Sequence, residues 1–192
     1  MERNETELEQ IVKERLSPRR AQHTLQCAAC ARLLAQRFGA DASAAYLAGL
    51  LHDITKELSV ENQLKLCEKH GIILDNVSRE NPALLHAITG AIVAKEEFSA
   101  PEHVCRAIRY HTTGCEYMSA LDQCVWLADM IEPGREFRGV SELRRMAKRD
   151  LALAVFTGMD QTMMHLIAKK KVIHPDMLAA RNQLLRERTT EK

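Results

Sequence analysis

Ala44-Ala45-Tyr46-Leu47-Ala48-Gly49-Leu50-Leu51-His52-Asp53 is the stretch that decides the fold class. Ala44, Leu47, Ala48 and Leu51 recur at spacings of three and four, the period of one helix face. Asp41 stands where a side chain can cap the first free N–H groups of such a helix, and Gly39 closes whatever precedes it. The run then ends on two ionisable residues. A helix that buries this face carries His52 and Asp53 toward the interior with it.

The same signals repeat outward along the chain. Ser17-Pro18 reads as an N-cap followed by proline at the first helical position, starting a helix that runs to about Phe38. Ser59 caps a helix ending near His70-Gly71, and Asn81-Pro82 introduces another from Ala83 to about Glu97. Ala100-Pro101 opens a helix that reaches His111, and Gly114 breaks the chain after it. Ser119 to Ile131 reads as helix up to Pro133-Gly134. A long helical region begins near Ser141 with an interruption expected around Gly158, and His174-Pro175 separates it from a last helix. Aromatics are only 4% of the 192 residues while alanine and leucine abound, which disfavours strands. The expectation is all-α: a single helical domain over 1–192, with a core at about 18–132 and C-terminal helices at about 141–189 packing on it.

Bulk properties narrow the function classes. The net charge is +1, and no lysine-arginine stripe is interleaved with aromatics, so a nucleic-acid groove is not expected. From Ser141 onward there are 11 Lys/Arg against 6 Asp/Glu, and before it 16 against 20, so the C-terminal region could help hold a phosphorylated ligand. Met1 to Gln10 is acidic and polar, unlike a secretory signal, and the longest apolar run, Ala44 to Leu51, is well short of the ~20 residues that cross a bilayer. Six scattered cysteines read as reduced thiols. A cytoplasmic protein without a membrane span is expected. Cys27-x-x-Cys30 falls mid-helix without a second cysteine pair and is not read as a zinc site. His70, His103 and His165 are expected near the surface, and Met159, Met163 and Met164 as core filling.

Other polar groups also sit in apolar surroundings. Asp129 is the only charge in Val125-Trp126-Leu127-Ala128-Asp129-Met130-Ile131, His86 interrupts Leu84-Leu85-His86-Ala87-Ile88, and His23 lies near Ala21, Leu25, Cys27 and Ala28. An isolated buried carboxylate costs several kcal/mol, so Asp129 requires a partner. No Lys or Arg lies three or four residues away, which leaves a cationic side chain from elsewhere in the fold or a metal ion. Two imidazoles and two carboxylates form a mixed nitrogen-oxygen set that suits iron, manganese or cobalt and does not imply a thiolate site.

The chain resembles the HD-domain superfamily of metal-dependent phosphohydrolases, in its symmetrical dinucleoside tetraphosphatase branch. The matching stretches are Arg20-Ala-Gln-His23, Ala48-Gly-Leu-Leu-His-Asp-Ile-Thr-Lys56, Leu85-His86-Ala-Ile-Thr-Gly90, Ala107-Ile-Arg-Tyr-His-Thr112 and Leu127-Ala-Asp-Met-Ile-Glu-Pro-Gly-Arg135. The resemblance implies a helical HD fold, a homodimer, and iron held by His23, His52, Asp53 and Asp129. It further implies cleavage of diadenosine tetraphosphate at its centre into two ADP. Nucleotide contacts carry over to Arg20, Asp53, Ile54, Thr55, Lys56, His86, His111, Thr112, Asp129 and Arg135, and more loosely to Ile173 and His174. Asp53, Lys56, His86 and His111 are the expected catalytic groups: Asp53 to orient water, Lys56 to meet a phosphate, and the two histidines to donate to the leaving phosphate.

Plainer readings exist for each residue. His86 also fits a hydrogen-bonded core histidine, and His111 a helix C-terminus that favours a cation. Lys56 fits a solvated helix end, Arg135 a surface turn, and Glu132 and Arg20 an ion pair with each other. Two other functions fit the same pattern: a phosphohydrolase of mononucleotides or cyclic nucleotides, and a nucleotide-binding module without turnover.

Overall fold

Among the described residues, thirty-eight apolar side chains form one core, from Leu8 near the start to Leu184 near the end. The computed structural model describes residues 4–190; residues 1–3 and 191–192 of the expected domain lie outside the described residues. Among the described residues the order is α1 (Glu5–Arg15), α2 (Pro18–Phe38), α3 (Ala42–Leu51), α4 (Val60–Lys69), α5 (Asn76–Glu80), a 3-10 turn (Pro82–Leu84), α6 (Leu85–Phe98), α7 (Glu102–Tyr110), α8 (Ala120–Ile131), α9 (Val140–Met146), α10 (Leu151–Ala168) and α11 (Pro175–Thr190), with no strand. The all-α expectation holds.

The caps explain most boundaries. Asp41 accepts from the Ser43 and Ala44 N–H groups, Ser59 from that of Asn62, and Ser119 from that of Asp122, whose carboxylate reaches back to the Ser119 N–H. Gly39 ends α2 at φ 72°, a conformation that favours glycine. Ser17 departs from expectation: its hydroxyl makes no cap bond and instead donates to Glu57 at 2.6 Å.

Three differences have physical reasons. The break expected at Gly158 falls at Ala147–Asp150, where Asp150 caps α10. Gly158 lies inside α10 because a Cβ there would stand 3.0 Å from the Trp126 ring, so the glycine serves close packing. The helix expected from Ala83 starts with the 3-10 turn, its α-helical part beginning at Leu85. Met159 is fully buried, whereas Met164 is 61% exposed and fills no core.

α2 and α3 pack backbone to backbone. A Cβ on Gly49 would stand 2.5 Å from the Ala28 Cα, so only glycine permits this approach. α8 lies across both, burying Cys124, Val125, Leu127 and Ala128. α10 then covers α8 and is itself flanked by α9 and α11. By length and composition alone α10 is apolar enough to cross a bilayer, but Leu151, Ala154, Val155, Gly158 and Met159 are buried in the protein. All six cysteines are free.

Candidate metal centre

His23 lies one turn into α2, His52 and Asp53 follow directly on the last residue of α3, and Asp129 lies in the last turn of α8. Because α3 stops at Leu51, the two adjacent side chains lean off a helix end into the space between α2 and α8. Four donor atoms meet there. His23 Nε2 is 3.0 Å from Asp129 Oδ1 and 3.8 Å from Asp53 Oδ2; His52 Nε2 is 3.5 Å from Asp53 Oδ2 and 3.9 Å from Asp129 Oδ1.

These separations suit a shared cation. Ligands at about 2.1 Å from an ion lie about 3.0 Å apart at right angles, about 3.4 Å apart in a tetrahedron and about 4.2 Å apart when opposite, a range that contains all four separations. Both Nε2 atoms are buried and lack a hydrogen-bond partner, an arrangement that buried polar atoms avoid unless something else satisfies them. Both rings are oriented from behind. His52 Nδ1 donates to the Gly49 carbonyl at 2.7 Å, and His23 Nδ1 to Glu132 Oε1 at 3.1 Å. A carbonyl only accepts, so His52 carries its fixed proton on Nδ1 and offers Nε2 inward, as metal-ligating histidines do.

Electrostatics follow the same plan. Burial alone would raise the Asp53 carboxyl, yet the His52, His86 and His111 rings hold it well below the usual carboxylate range. Asp129 is likewise raised by burial and pulled far down by His23, His52 and Arg135. Burial opposes a charge on His52, but the Cys27 sulfur and the Asp53 carboxylate carry it well above the ordinary imidazole value. Two acids held as anions around two imidazoles make a cation trap.

A second group lies across Asp53. Its Oδ1 is 3.2 Å from His86 Nε2 and 4.0 Å from His111 Nε2, and those two nitrogens are 3.1 Å apart. Each ring donates Nδ1 to a backbone carbonyl, His86 to Ala83 at 2.8 Å and His111 to Ile108 at 2.7 Å. Burial and the charges of His111 and Lys56 push His86 well below its ordinary value; burial and His52 push His111 down to about 4. With both rings held low and both Nδ1 protons committed to carbonyls, each Nε2 presents a lone pair that can accept a proton. Lys56 Nζ stands 3.1 Å from His86 Nε2, and burial lowers it despite Asp53 and Asp129.

The other sequence-derived residues divide into four sets. Arg20 donates to Asp53 Oδ2 at 2.8 Å, and Arg135 to both Asp129 Oδ1 and the Asp129 carbonyl. Arg135 therefore is no free surface-turn residue, and Arg20 does not pair with Glu132. Asp129 thus has both of the partners open to it in the sequence, a guanidinium from beyond its own helix and a place among metal-type donors. Ile54 is packed in the core, and the Thr55 hydroxyl donates to the His86 carbonyl at 3.0 Å, tying α3 to α6. Thr112 has a buried hydroxyl oxygen without a partner. His174 Nε2 lies 3.2 Å from Asp75 Oδ2, with Ile173 half-buried beside it. Of the three histidines given no role, His103 and His165 are exposed, and His70 is half-buried against Glu96.

Two supporting residues escaped the sequence reading. Glu132 orients His23 and also accepts the Gly134 N–H; an acid at a helix C-terminus opposes the dipole, and that misfit was its signal. Arg144 pins the turn by donating to the carbonyls of Ile131, Glu132 and Arg135. Glu132→Gln should weaken divalent-cation affinity by roughly 10- to 100-fold, the usual cost of losing a carboxylate behind a ligating histidine, with helicity unchanged. A metal titration followed by calorimetry checks it, and an unchanged Kd would remove Glu132 from the centre.

The HD domain family model matches residues 20–134, the span that holds all four converging donors. The chain belongs to the HD domain family. Relatives match over nearly its whole length. A protein of Halalkalibacterium halodurans named symmetrical bis(5'-nucleosyl)-tetraphosphatase is 39% identical over 93% of this chain and 95% of its own. One of the same name from Bacillus subtilis is 36% identical over 95% and 98%. The crystal structure of a predicted HD superfamily hydrolase involved in NAD metabolism, from Clostridium acetobutylicum, superimposes with a TM-score of 0.93 at 35% identity, covering 97% of this chain and all of that one. HD-domain hydrolases bind a divalent metal, and the His/Asp cluster of this chain fits one.

Proposed function

We propose that this protein is a metal-dependent hydrolase that splits diadenosine tetraphosphate at its central phosphoanhydride into two ADP. One observation carries the reading: two imidazole nitrogens and two carboxylate oxygens converge within 3.0–3.9 Å, with Lys56, Arg20 and Arg135 around them, in a chain whose relatives bear that activity in their names.

In this reading His23, His52, Asp53 and Asp129 hold the cation, iron by preference for the mixed donor set, with manganese or cobalt as substitutes. The ion supplies Lewis-acid polarisation of a phosphoryl oxygen and lowers the pKa of water. The protein does the rest. Asp53, whose Oδ1 faces away from the other donors, orients a water and receives its proton as the water oxygen bonds to an inner phosphorus. The bridging P–O bond breaks, and the proton taken up by Asp53 passes from its Oδ1 through His86, 3.2 Å away, and His111 to the leaving ADP. Lys56 and Arg135 bind phosphate oxygens, Arg135 with a planar two-pronged donor, and Arg20 joins them on leaving Asp53. Ile54 and Thr55 reach the substrate through their backbone; Thr112, Ile173 and His174 complete the nucleoside end.

The single-domain reading is supported by the core that α9 to α11 share with α8. We place the reaction in the cytoplasm, consistent with six free thiols. We further propose a homodimer, supported by Met164 and Ile167 standing 61% and 65% exposed on α10.

The test is chromatography of the products of diadenosine tetraphosphate, with NAD and mononucleotides as parallel substrates, before and after chelation. Two ADP as the only products, lost on chelation and restored by iron, is the expected result. AMP with ATP, or turnover of NAD alone, would replace this reading by another HD phosphohydrolase; bound metal without any turnover would leave a binding module.

A further inference from the structure

The Asp53 carboxylate separates two territories. Its Oδ1 faces His86 and His111, and its Oδ2 faces Arg20. A dinucleoside tetraphosphate cut at its midpoint has a nucleoside diphosphate on each side of the reacting phosphorus. One half extends toward Lys56 and the paired histidines, so the other must leave on the Arg20 side.

A cleft of 530 Å³ opens there, between the first turns of α2 and the Pro133–Arg135 turn. Its size falls within the range of small-molecule sites, about 300–1,000 Å³. His23 and Arg135 line it, so it communicates directly with the converging donors. Along α2 it is lined by Arg19, Gln22 and Gln26, at intervals of three and four, the strip that also carries His23. Among the described residues none of these three side chains has a hydrogen-bond or ion-pair partner. Nothing in the fold employs them.

Their chemistry sorts the cleft. Arg19 adds a third guanidinium to Arg20 and Arg135 and suits phosphate. Carboxamides offer a donor and an acceptor side by side, which matches the edge of an adenine. Glu57, clamped by the Ser17 N–H at 2.7 Å and its hydroxyl at 2.6 Å, is a carboxylate on the cleft wall suited to ribose hydroxyls and not to phosphate. We propose that this cleft is the subsite for the second nucleoside diphosphate half, with Arg19 on its phosphates and Gln22 and Gln26 on its nucleoside. The proposal rests on the tetraphosphatase reading and adds to it a grip that selects dinucleoside over mononucleoside polyphosphates.

Calorimetric titration with two non-cleavable ligands tests it: diadenosine tetraphosphate with a methylene at the central bridge, and adenosine tetraphosphate with the same bridge. The wild type should bind the dinucleoside roughly tenfold more tightly, what one or two net hydrogen bonds supply. Gln22→Ala/Gln26→Ala should bind both ligands equally, with mononucleoside affinity unchanged. Arg19→Ala should weaken both by similar factors. Gln22→Ala alone, at an exposed position, repeats the test with the least disturbance to folding. A double variant that keeps the preference, or a wild type without one, overturns the subsite even if two ADP are the products. If neither ligand binds the wild type, the tetraphosphatase reading falls and the subsite with it.

Discussion

Asp53→Asn should lower kcat/KM by at least ~10³-fold, about 4 kcal/mol of transition-state stabilisation, and should abolish metal retention. The substitution keeps the volume and removes one charge. At 2% exposure the site has no solvent to compensate it. Oδ2 would no longer oppose the two imidazoles as an anion, and Arg20 would lose the charged acceptor it holds at 2.8 Å. His52, kept well above its ordinary value partly by this carboxylate, would lose that support and move down. Helicity should persist, because Ile54 and the Thr55 hydroxyl still anchor the turn. Elemental analysis, kcat/KM and circular dichroism of the purified variant decide the matter together. Normal turnover, there or in His52→Ala, would show that the chemistry lies elsewhere.

Gly49→Ala tests the scaffold instead. In an isolated helix the change would gain about 1 kcal/mol of propensity. Here the new Cβ would stand 2.5 Å from the Ala28 Cα and 3.0 Å from its nitrogen, backbone atoms that cannot turn aside. Forcing α2 from α3 should cost about 3 kcal/mol net, at the upper end for overpacking. For a chain of this size that lowers Tm by roughly 6–12 °C. The displacement would also part His23, on α2, from His52, at the end of α3, so metal affinity should fall in the folded fraction too. A Tm within a degree or two of wild type would show that the helices slide past the obstruction freely.

The helices around the centre were legible because each has a local start or stop signal. Gly39, Asp41, Ser59 and Ser119 act within their own turns, where sequence and structure are nearly the same information. α1 escaped because its buried face amounts to little more than Leu8 and Val12, and α5 because five residues give no period. Gly158 misled because a glycine in a helix reads alike whether it breaks the helix or admits a neighbouring indole. The converging His and Asp residues stood out as ionisable groups in apolar surroundings. Arg144 and the amides of α2 did not, being polar residues among polar residues, and Glu132 showed only its misfit with the helix dipole; the partners of all of them are set by tertiary approach.

The guanidiniums on Asp53 and Asp129 imply an order of events in the newly made chain. Arg20 and Arg135 donate to the very oxygens that face the imidazoles. Each supplies a counter-charge, without which burying the acid would oppose closure of the helices by several kcal/mol. The apoprotein should thus reach its native shape unaided and be loaded afterwards, unlike small domains that fold only around their ion. Stripping with a chelator should therefore silence the enzyme reversibly, its far-ultraviolet spectrum unaltered, and replenishment should revive it without renaturation.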